Sequence, residues 1–338
     1  MAWRRLGLPR PGSALTSNAG AGQARGADRH TGLAVVVVNY ASSELLRHNL
    51  TAVHAELPDA LMVVVDNFSS QTEQQRVREL SAERGWESVL LDTNTGFGGG
   101  VNAGATRAFE LGATQLLLLN PDATIDAASV DRLRAVVDAE PLVVAAPVIR
   151  RPDGHIWFQG VEVDLRDGSM HRYQPGRPSE PDRVLWLTGA CMLVPREVWD
   201  AVGGFDGERY FLYWEDVDFS QRVRDAGGTL RVVPEAEAIH DEGGTQQAGR
   251  PEAKSAVYYY YNIRNRLLFA SLHLSPQQQR EWQRTAWQSA KDVLLRGGRR
   301  QFLHPVAPVR AAYRGVRDGR RLLAGSGSPR AGRGIETP

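Results

Sequence analysis

Glu215 and Asp216 are adjacent carboxylates that open a helical pattern, directly after Tyr210-Phe-Leu-Tyr-Trp214. A helix N-terminus favours negative charge by roughly 0.3–1 kcal/mol. A carboxylate held there beside an aromatic wall can face a pocket and take the proton of a sugar hydroxyl. The same pair can also do no more than cap the helix. Tyr213 and Trp214 adjoin the pair, and Arg264 lies in Tyr258-Tyr-Tyr-Tyr-Asn-Ile-Arg-Asn-Arg266, an aromatic and basic helix face. These three can hold an acceptor, Arg264 through a phosphate; equally, they can be packed aromatics beside a solvated Arg. Trp157 and Trp186 are further candidates for stacking on a sugar ring, or for the core.

A second set of residues suits a nucleotide. Asp66 ends an apolar run and can accept the imide N–H of uracil or thymine; its alternative is an Asx turn with Ser69 or Ser70. Asn94 opens a stretch with five glycines between Gly96 and Gly104, Gly98 among them, ahead of a helix. Its backbone N–H groups can approach a phosphate or ribose, or it can be a flexible tight turn. No Gly-Lys-Ser/Thr follows, and the stretch comes after the third strand, so it is neither a Walker loop nor the Rossmann fingerprint. Asp122, in Leu119-Asn-Pro-Asp122, can hold a divalent cation against a pyrophosphate, or serve as a turn or cap residue beside Pro121. His240 follows a strand. A lone His is more often structural, but with Asp122 it makes a mixed carboxylate and imidazole shell for a cation.

The elements that must position these residues follow from periodicity. Continuous apolar runs predict buried strands at 33–38, 61–65 and 115–119, with a shorter one at 88–91. Helical spacing alternates with them at 42–56, 72–84, up to 112, and 127–139. This βα alternation implies right-handed crossovers and a parallel sheet covered by helices, with ligands beyond the strand carboxyl ends. Asn39, Asp66, Asn94 and Asp122 fall at those ends. After 142–149 the rhythm changes. Asp153-Gly154 and Asp167-Gly168 signal hairpins, strands are expected at 184–187 and 190–194, and a last strand at 230–233 stops at Pro234. Helices are expected at 196–202, after Glu215, at 252–272 and at 276–295.

The chain has 338 residues, 42% of them hydrophobic, enough for a sizeable core. The net charge of +1 excludes a protein that binds polyanions over its whole surface. The Arg residues from 296 to 333 number ten against one acid, yet they lack interleaved aromatics, which argues against nucleic acid. That basic stretch suits an anionic membrane surface, or a solvated tail. One cysteine, Cys191, allows no internal disulfide and suits the cytoplasm. No run reaches the roughly 18 apolar residues of a membrane span, and Met1 to His30 lacks the apolar core of a signal peptide. The organisation expected is a disordered extension at 1–31 and one domain at 32–273. Its nucleotide half is 32–150 and its acceptor and catalytic half 151–273. A C-terminal helix and basic, partly disordered tail follow at 274–338.

Taken together, Asn94-x-Gly-Phe-Gly-Gly-Gly-x-Asn102-x-Gly104, Leu119-Asn-Pro-Asp122 and Gly203-Gly-Phe-Asp-Gly-Glu-Arg-Tyr-Phe-Leu-Tyr-Trp-Glu-Asp-Val-Asp218 resemble the inverting glycosyltransferases of family two, over about residues 33–266. Within them the chain looks most like the rhamnosyltransferase-type branch of cell-wall and surface polysaccharide assembly. The resemblance implies the GT-A fold: an α/β, Rossmann-like, mostly parallel central sheet flanked by helices, with a smaller antiparallel part and C-terminal helices. It implies that Asp66 reads the base of a nucleotide-diphosphate sugar, with Asn39, Asn94, Gly98, Asn102 and Asn120 around the donor. Asp122 and His240 would hold Mg2+ or Mn2+, and Asp216, paired with Glu215, would be the base. Asn120 stands where the metal-binding motif has its first Asp, so a cation would be held less tightly. The acceptor implied is a glycan or a lipid-linked sugar, at the inner face of the plasma membrane. The competing readings are a nucleotide-sugar-binding scaffold without catalysis and a nucleotidyltransferase. The second lacks a basic glycine-rich loop after the first strand, where Asn39-Tyr-Ala-Ser-Ser43 stands.

Overall fold

The computed structural model describes residues 30–140, 142–241, 254–298 and 305–325. Most of the expected N-terminal extension, residues 242–253 and the last residues of the basic tail lie outside these. The first half alternates strand and helix as expected, apart from an added strand (Ala123–Ile125) and a π-helical segment (Leu46–Leu50). Strand β1 (Leu33–Asn39) leads to α1 (Ser43–Leu45), a π-helical segment (Leu46–Leu50) and α2 (Thr51–Glu56). Then come β2 (Leu61–Asp66), α3 (Gln71–Arg84), β3 (Glu87–Leu90), α4 (Gly96–Glu110), β4 (Gln115–Leu119), β5 (Ala123–Ile125), α5 (Ala127–Ala139) and β6 (Val143–Arg150). The second half holds β7 (Ile156–Phe158), β8 (Val161–Asp164), β9 (Met170–Arg172), β10 (Arg183–Trp186), β11 (Cys191–Pro195), α6 (Arg196–Val202), α7 (Glu215–Asp225) and β12 (Thr229–His240). Four helices close the chain: α8 (Ala256–His273), α9 (Pro276–Arg284), α10 (Ala286–Leu295) and α11 (Val306–Gly325).

The large sheet runs β3-β2-β1-β4-β11-β6-β12-β5, with β7 on β6. Strands β1 to β4 pair in parallel, β12 is parallel to β6, and β11 runs against both of its neighbours. Strands β10, β8 and β9 form a separate antiparallel sheet. Both faces of β1 are buried. Val35 and Val37 point into one core with Leu46, Val64 and Leu117; Val36 and Val38 point into the other with Val63, Val101 and Leu118. Each such side chain contributes about 1.5–3 kcal/mol by leaving water. That two-sided burial is why these strands read as unbroken apolar runs.

Four expectations are corrected. The glycine-rich stretch is not a loop: α4 already starts at Gly96. Its glycines let the helix lie close on the sheet; a Cβ on Gly104 would stand 2.5 Å from Val36 and 2.8 Å from Val65. Strand β12 does not stop at Pro234 but runs on to His240, with a break in register between Val233 and Glu237. Proline has no N–H to give, and a bulge is where a strand tolerates that. The helix expected over 276–295 is two helices that meet at Thr285. Finally, part of the expected tail is the twenty-residue helix α11.

A third core lies under the C-terminal helices. It joins Tyr210, Trp214 and Val217 to Tyr259, Phe269, Trp282, Val293 and Val316. It crosses residue 274, so α9 to α11 share their packing with the acidic helix α7.

Candidate active site

The candidate residues collect at one end of the large sheet. Register pairs Asn39, the last residue of β1, with Asp66, the last of β2. Leu119 ends β4 opposite Cys191, where the antiparallel β11 begins, so the 188–190 turn lies at the same end. His240 ends β12 opposite Ala123, next to Asp122. This is the carboxyl edge at which open α/β sheets bind ligands.

At the β1–β2 side, Asn39 Nδ2 donates to Asp66 Oδ1 at 3.0 Å, and Asn39 Oδ1 accepts from Ser42 Oγ at 2.8 Å. Glu73 accepts from the Ser43 N–H at 2.6 Å and from its hydroxyl at 3.0 Å. Ser70 caps α3 by accepting from Glu73 N. Asp66 is fully buried, and its Oδ2 lacks a hydrogen-bond partner. Burial pushes its carboxyl up, with Glu73 adding to this and the Asn39 bond opposing it. A buried acceptor without a donor is costly, and an imide N–H is a donor of the right kind.

Asn67, which the sequence alone did not single out, organises the start of α4. Its Nδ2 donates to Asn94 Oδ1 (3.0 Å) and Gly96 O (2.8 Å), and its Oδ1 accepts from Thr95 N (2.9 Å). Asn94 is exposed, beside this cluster. Two expected donor contacts have other partners. Asn102 donates to Phe205 O at 2.8 Å and accepts from Phe205 N at 2.9 Å, so both ends of its carboxamide hold the turn after α6. A Cβ on Gly98 would stand 3.0 Å from Phe205 Cβ; Gly98 makes room for that turn.

The expected pairing of Asp122 with His240 is present. His240 Nε2 lies 3.1 Å from Asp122 Oδ1 and 3.2 Å from Asn120 Nδ2. Asp122 and His240 are both buried, and His240 Nδ1 has no hydrogen-bond partner. The His240 ring lies against Trp157, with centroids 4.4 Å apart. Among the described residues no group of three or more His, Cys, Asp or Glu side chains is arranged to hold a metal.

At the acidic pair, Glu215 is buried, its Oε2 has no partner, and burial, then Asp216, raises its carboxyl well above the usual range. Asp216 is half-buried. Its Oδ2 accepts from Gly189 N at 3.4 Å and its Oδ1 from Val217 N at 2.9 Å. Burial pushes it up to about 6 against these bonds and one from Thr188. Asp218, two residues on, has a different task. It binds His273 Nε2 at 2.7 Å and Arg222 Nε at 2.8 Å. Burial works to raise its carboxyl, but His273 and Arg222 outweigh that and hold it below the usual range.

Two acceptor candidates have partners within the chain. Trp214 is in the core, with ring centroids 5.6 Å from Phe269 and 6.1 Å from Trp282. Arg264 Nη1 donates to Arg209 O at 2.9 Å and to Asn265, bracing the segment before α7. Tyr213 is partly exposed, edge-on to Tyr258. The two sides of the site meet at the 188–190 turn. Asn120 N donates to Ala190 O at 2.9 Å, and Gly189 N donates to Asp216.

The fold is of the GT-A type. A family model described as "Glycosyltransferase like family 2" matches residues 30–264, and the chain belongs to that family. It is 31% identical over 258 residues to N-acetylglucosaminyl-diphospho-decaprenol L-rhamnosyltransferase of Mycobacterium tuberculosis, over 68% of this chain and 81% of that one. It is 25% identical over 243 residues to the low-salt glycan biosynthesis hexosyltransferase Agl10 of Haloferax volcanii, over 70% and 74% of the two chains. In fold it is similar to GalNAc-T7, solved with UDP, GalNAc and Mn2+, with a TM-score of 0.51 at 17% identity, over 78% of this chain and 50% of that one.

Proposed function

We propose that this chain transfers a sugar, rhamnose from dTDP-rhamnose, to a glycan or polyprenyl-linked acceptor in cell-wall or surface polysaccharide assembly, with inversion. The name of the mycobacterial relative supports the sugar and the lipid-linked acceptor. The observation that carries the reading is the 188–190 turn, bonded on one side to Asn120 and on the other to Asp216. In this reading the turn links a candidate base to the segment that carries Asn120 and Asp122.

In this reading Asp66 Oδ2 accepts the imide N–H of the base. Asp216 takes the proton of the acceptor hydroxyl as that oxygen bonds to the anomeric carbon. The bond from that carbon to the phosphate oxygen breaks on the opposite face, so one displacement inverts the centre. Backbone N–H groups at the strand ends offset the charge of the departing nucleoside diphosphate. Asp122 and His240 fit a divalent cation shared with a pyrophosphate, since one carboxylate and one imidazole converge there and Mg2+ commonly takes its other ligands from phosphates. Bound there, Mg2+ or Mn2+ would neutralise charge on the leaving group. Asn120 adds no charge, which supports weak binding of the ion without the donor.

We place the chain at the inner surface of the membrane. Of the large apolar side chains exposed among the described residues, Trp287, Leu295, Val306, Val309 and Tyr313 lie on α10 and α11. Arg310, Arg314, Arg317 and Arg321 form one exposed stripe of α11. Aromatic and apolar side chains beside Arg suit an anionic lipid surface. No helix among the described residues is long and apolar enough to cross a membrane.

The experiment is a thermal-shift panel of dTDP, UDP and GDP, each with and without Mg2+ or Mn2+. A ligand at 100 times its Kd stabilises by about 2.7 kcal/mol, several degrees for a chain of this size. dTDP is expected to give the largest shift, increased by the cation. A shift with GDP alone, or none with any nucleotide, contradicts the donor assignment.

A further inference from the structure

Tyr213 and Trp214 stand in the left-handed backbone region, at φ 66° and 72°, immediately before Glu215 and Asp216. Two consecutive residues with side chains there are uncommon, because each Cβ crowds the neighbouring carbonyl. Such a bend persists only where the surroundings hold it. The chain holds it with one buried carboxamide. Asn265, on α8, is fully buried; its Nδ2 donates to Leu212 O at 3.0 Å and to Tyr213 O at 2.7 Å. Its Oδ1 accepts from Arg264 Nη1, which also donates to Arg209 O. On the far side, Phe97 N donates to Phe211 O at 3.1 Å. The segment from 209 to 213 is thus tied down along its length. Asn265 makes the last ties before the acidic pair. Asn is a poor choice for a helix interior on propensity alone, so its place in α8 calls for such a role.

We infer that Asn265 is a positioning residue. Its carboxamide locks the left-handed pair Tyr213–Trp214 and so fixes where Asp216 stands against the acceptor hydroxyl. The inference rests on the reading of Asp216 as the base. Asn265 touches no substrate. It sets the entry of α7, and Arg264 in turn orients the carboxamide.

The test compares wild type, Asn265→Ala, Tyr213→Gly and the double variant as full-length chains. Release of dTDP from dTDP-rhamnose, as the rhamnosyl group passes to an N-acetylglucosaminyl-diphospho-polyprenol acceptor, gives kcat, and dTDP affinity is measured separately. A displacement of about 1 Å can cost about 10²-fold in rate, so Asn265→Ala is expected to lose at least about tenfold in kcat, with dTDP affinity kept. Glycine takes positive φ without a Cβ penalty. Tyr213→Gly in the Asn265→Ala chain is therefore expected to recover part of the lost kcat, which a general loosening of α8 would not allow. Unchanged kcat in Asn265→Ala, an equal loss of dTDP affinity, or no recovery in the double variant overturns the inference. If Asn265→Ala does not fold, the double variant decides: restored folding and turnover support it, and an unfolded double variant overturns it. A wild-type chain that releases no dTDP contradicts the donor assignment instead. Crystal structures of wild type and Asn265→Ala then decide, a displaced 212–216 segment supporting the inference and superposable segments overturning it.

Discussion

Asp216 combines three properties that a general base needs. It is half-buried, fixed by the backbone N–H groups of Gly189 and Val217, and pushed up to about 6 by burial. A base works only when unprotonated, so kcat is expected to rise with pH through about 6 and then level. At pH 5 it should stand about tenfold below the plateau, from the fraction ionised. A kcat flat from pH 5 to 8 would argue for another base. Stability should move the opposite way. A carboxyl raised in the folded state binds its proton more tightly than in the unfolded chain. Its contribution is greatest below the ordinary carboxylate range and is lost as pH rises through about 6. The residues on which the proposed function rests, Asp66, Asp122, His240, Glu215 and Asp216, were picked out by type and place, each at or next to the end of a strand or the start of a strand or helix. For Trp214 and Arg264 the sequence alone leaves two readings open, because an aromatic or Arg beside a site reads the same whether it faces a ligand or braces the loop.

Among the elements, strands β1, β2 and β4 were read correctly because burial on both faces leaves unbroken apolar runs, such as Ala34 to Val38, whereas the three-residue β5 was not expected. Helix α11 was hidden for a physical reason. Its buried face is Ala311, Ala312, Gly315, Val316 and Gly319, and a Cβ on Gly315 or Gly319 would stand 2.9 Å from Tyr260 O or Leu267. Small residues there let α11 lie close on α8, yet in sequence they look like the composition of a loose tail. Its outer face carries the Arg stripe, in which Arg317 and Arg321 share Asp318. Each basic residue near an anionic surface contributes about 1 kcal/mol. Arg310→Glu with Arg314→Glu is therefore expected to abolish flotation with anionic vesicles while leaving Tm and dTDP binding close to wild type. Equal recovery of variant and wild type with those vesicles would count against a lipid-facing α11.

At the scale of the molecule, three cores serve one edge. Two sandwich the sheet and align Asn39, Asp66 and Asn120 at its end; the third, from Trp214 through Phe269 to Trp282, carries the acidic helix against it. The Asp218 carboxylate adds a tie from α7 to His273 of α8. This third core was the least legible part, since it joins residues from about fifty to about a hundred apart, such as Tyr210 with Tyr259 and with Val316, that no local pattern links. The central claim is that these cores bring a base to a nucleotide-sugar pocket. It is tested most directly by Asp216→Asn, with kcat measured beside the Kd for the donor. The account predicts a fall of about 10²–10⁴-fold in kcat, donor affinity close to wild type and, at pH 8, a Tm no lower. A variant that keeps a kcat near that of wild type would contradict it.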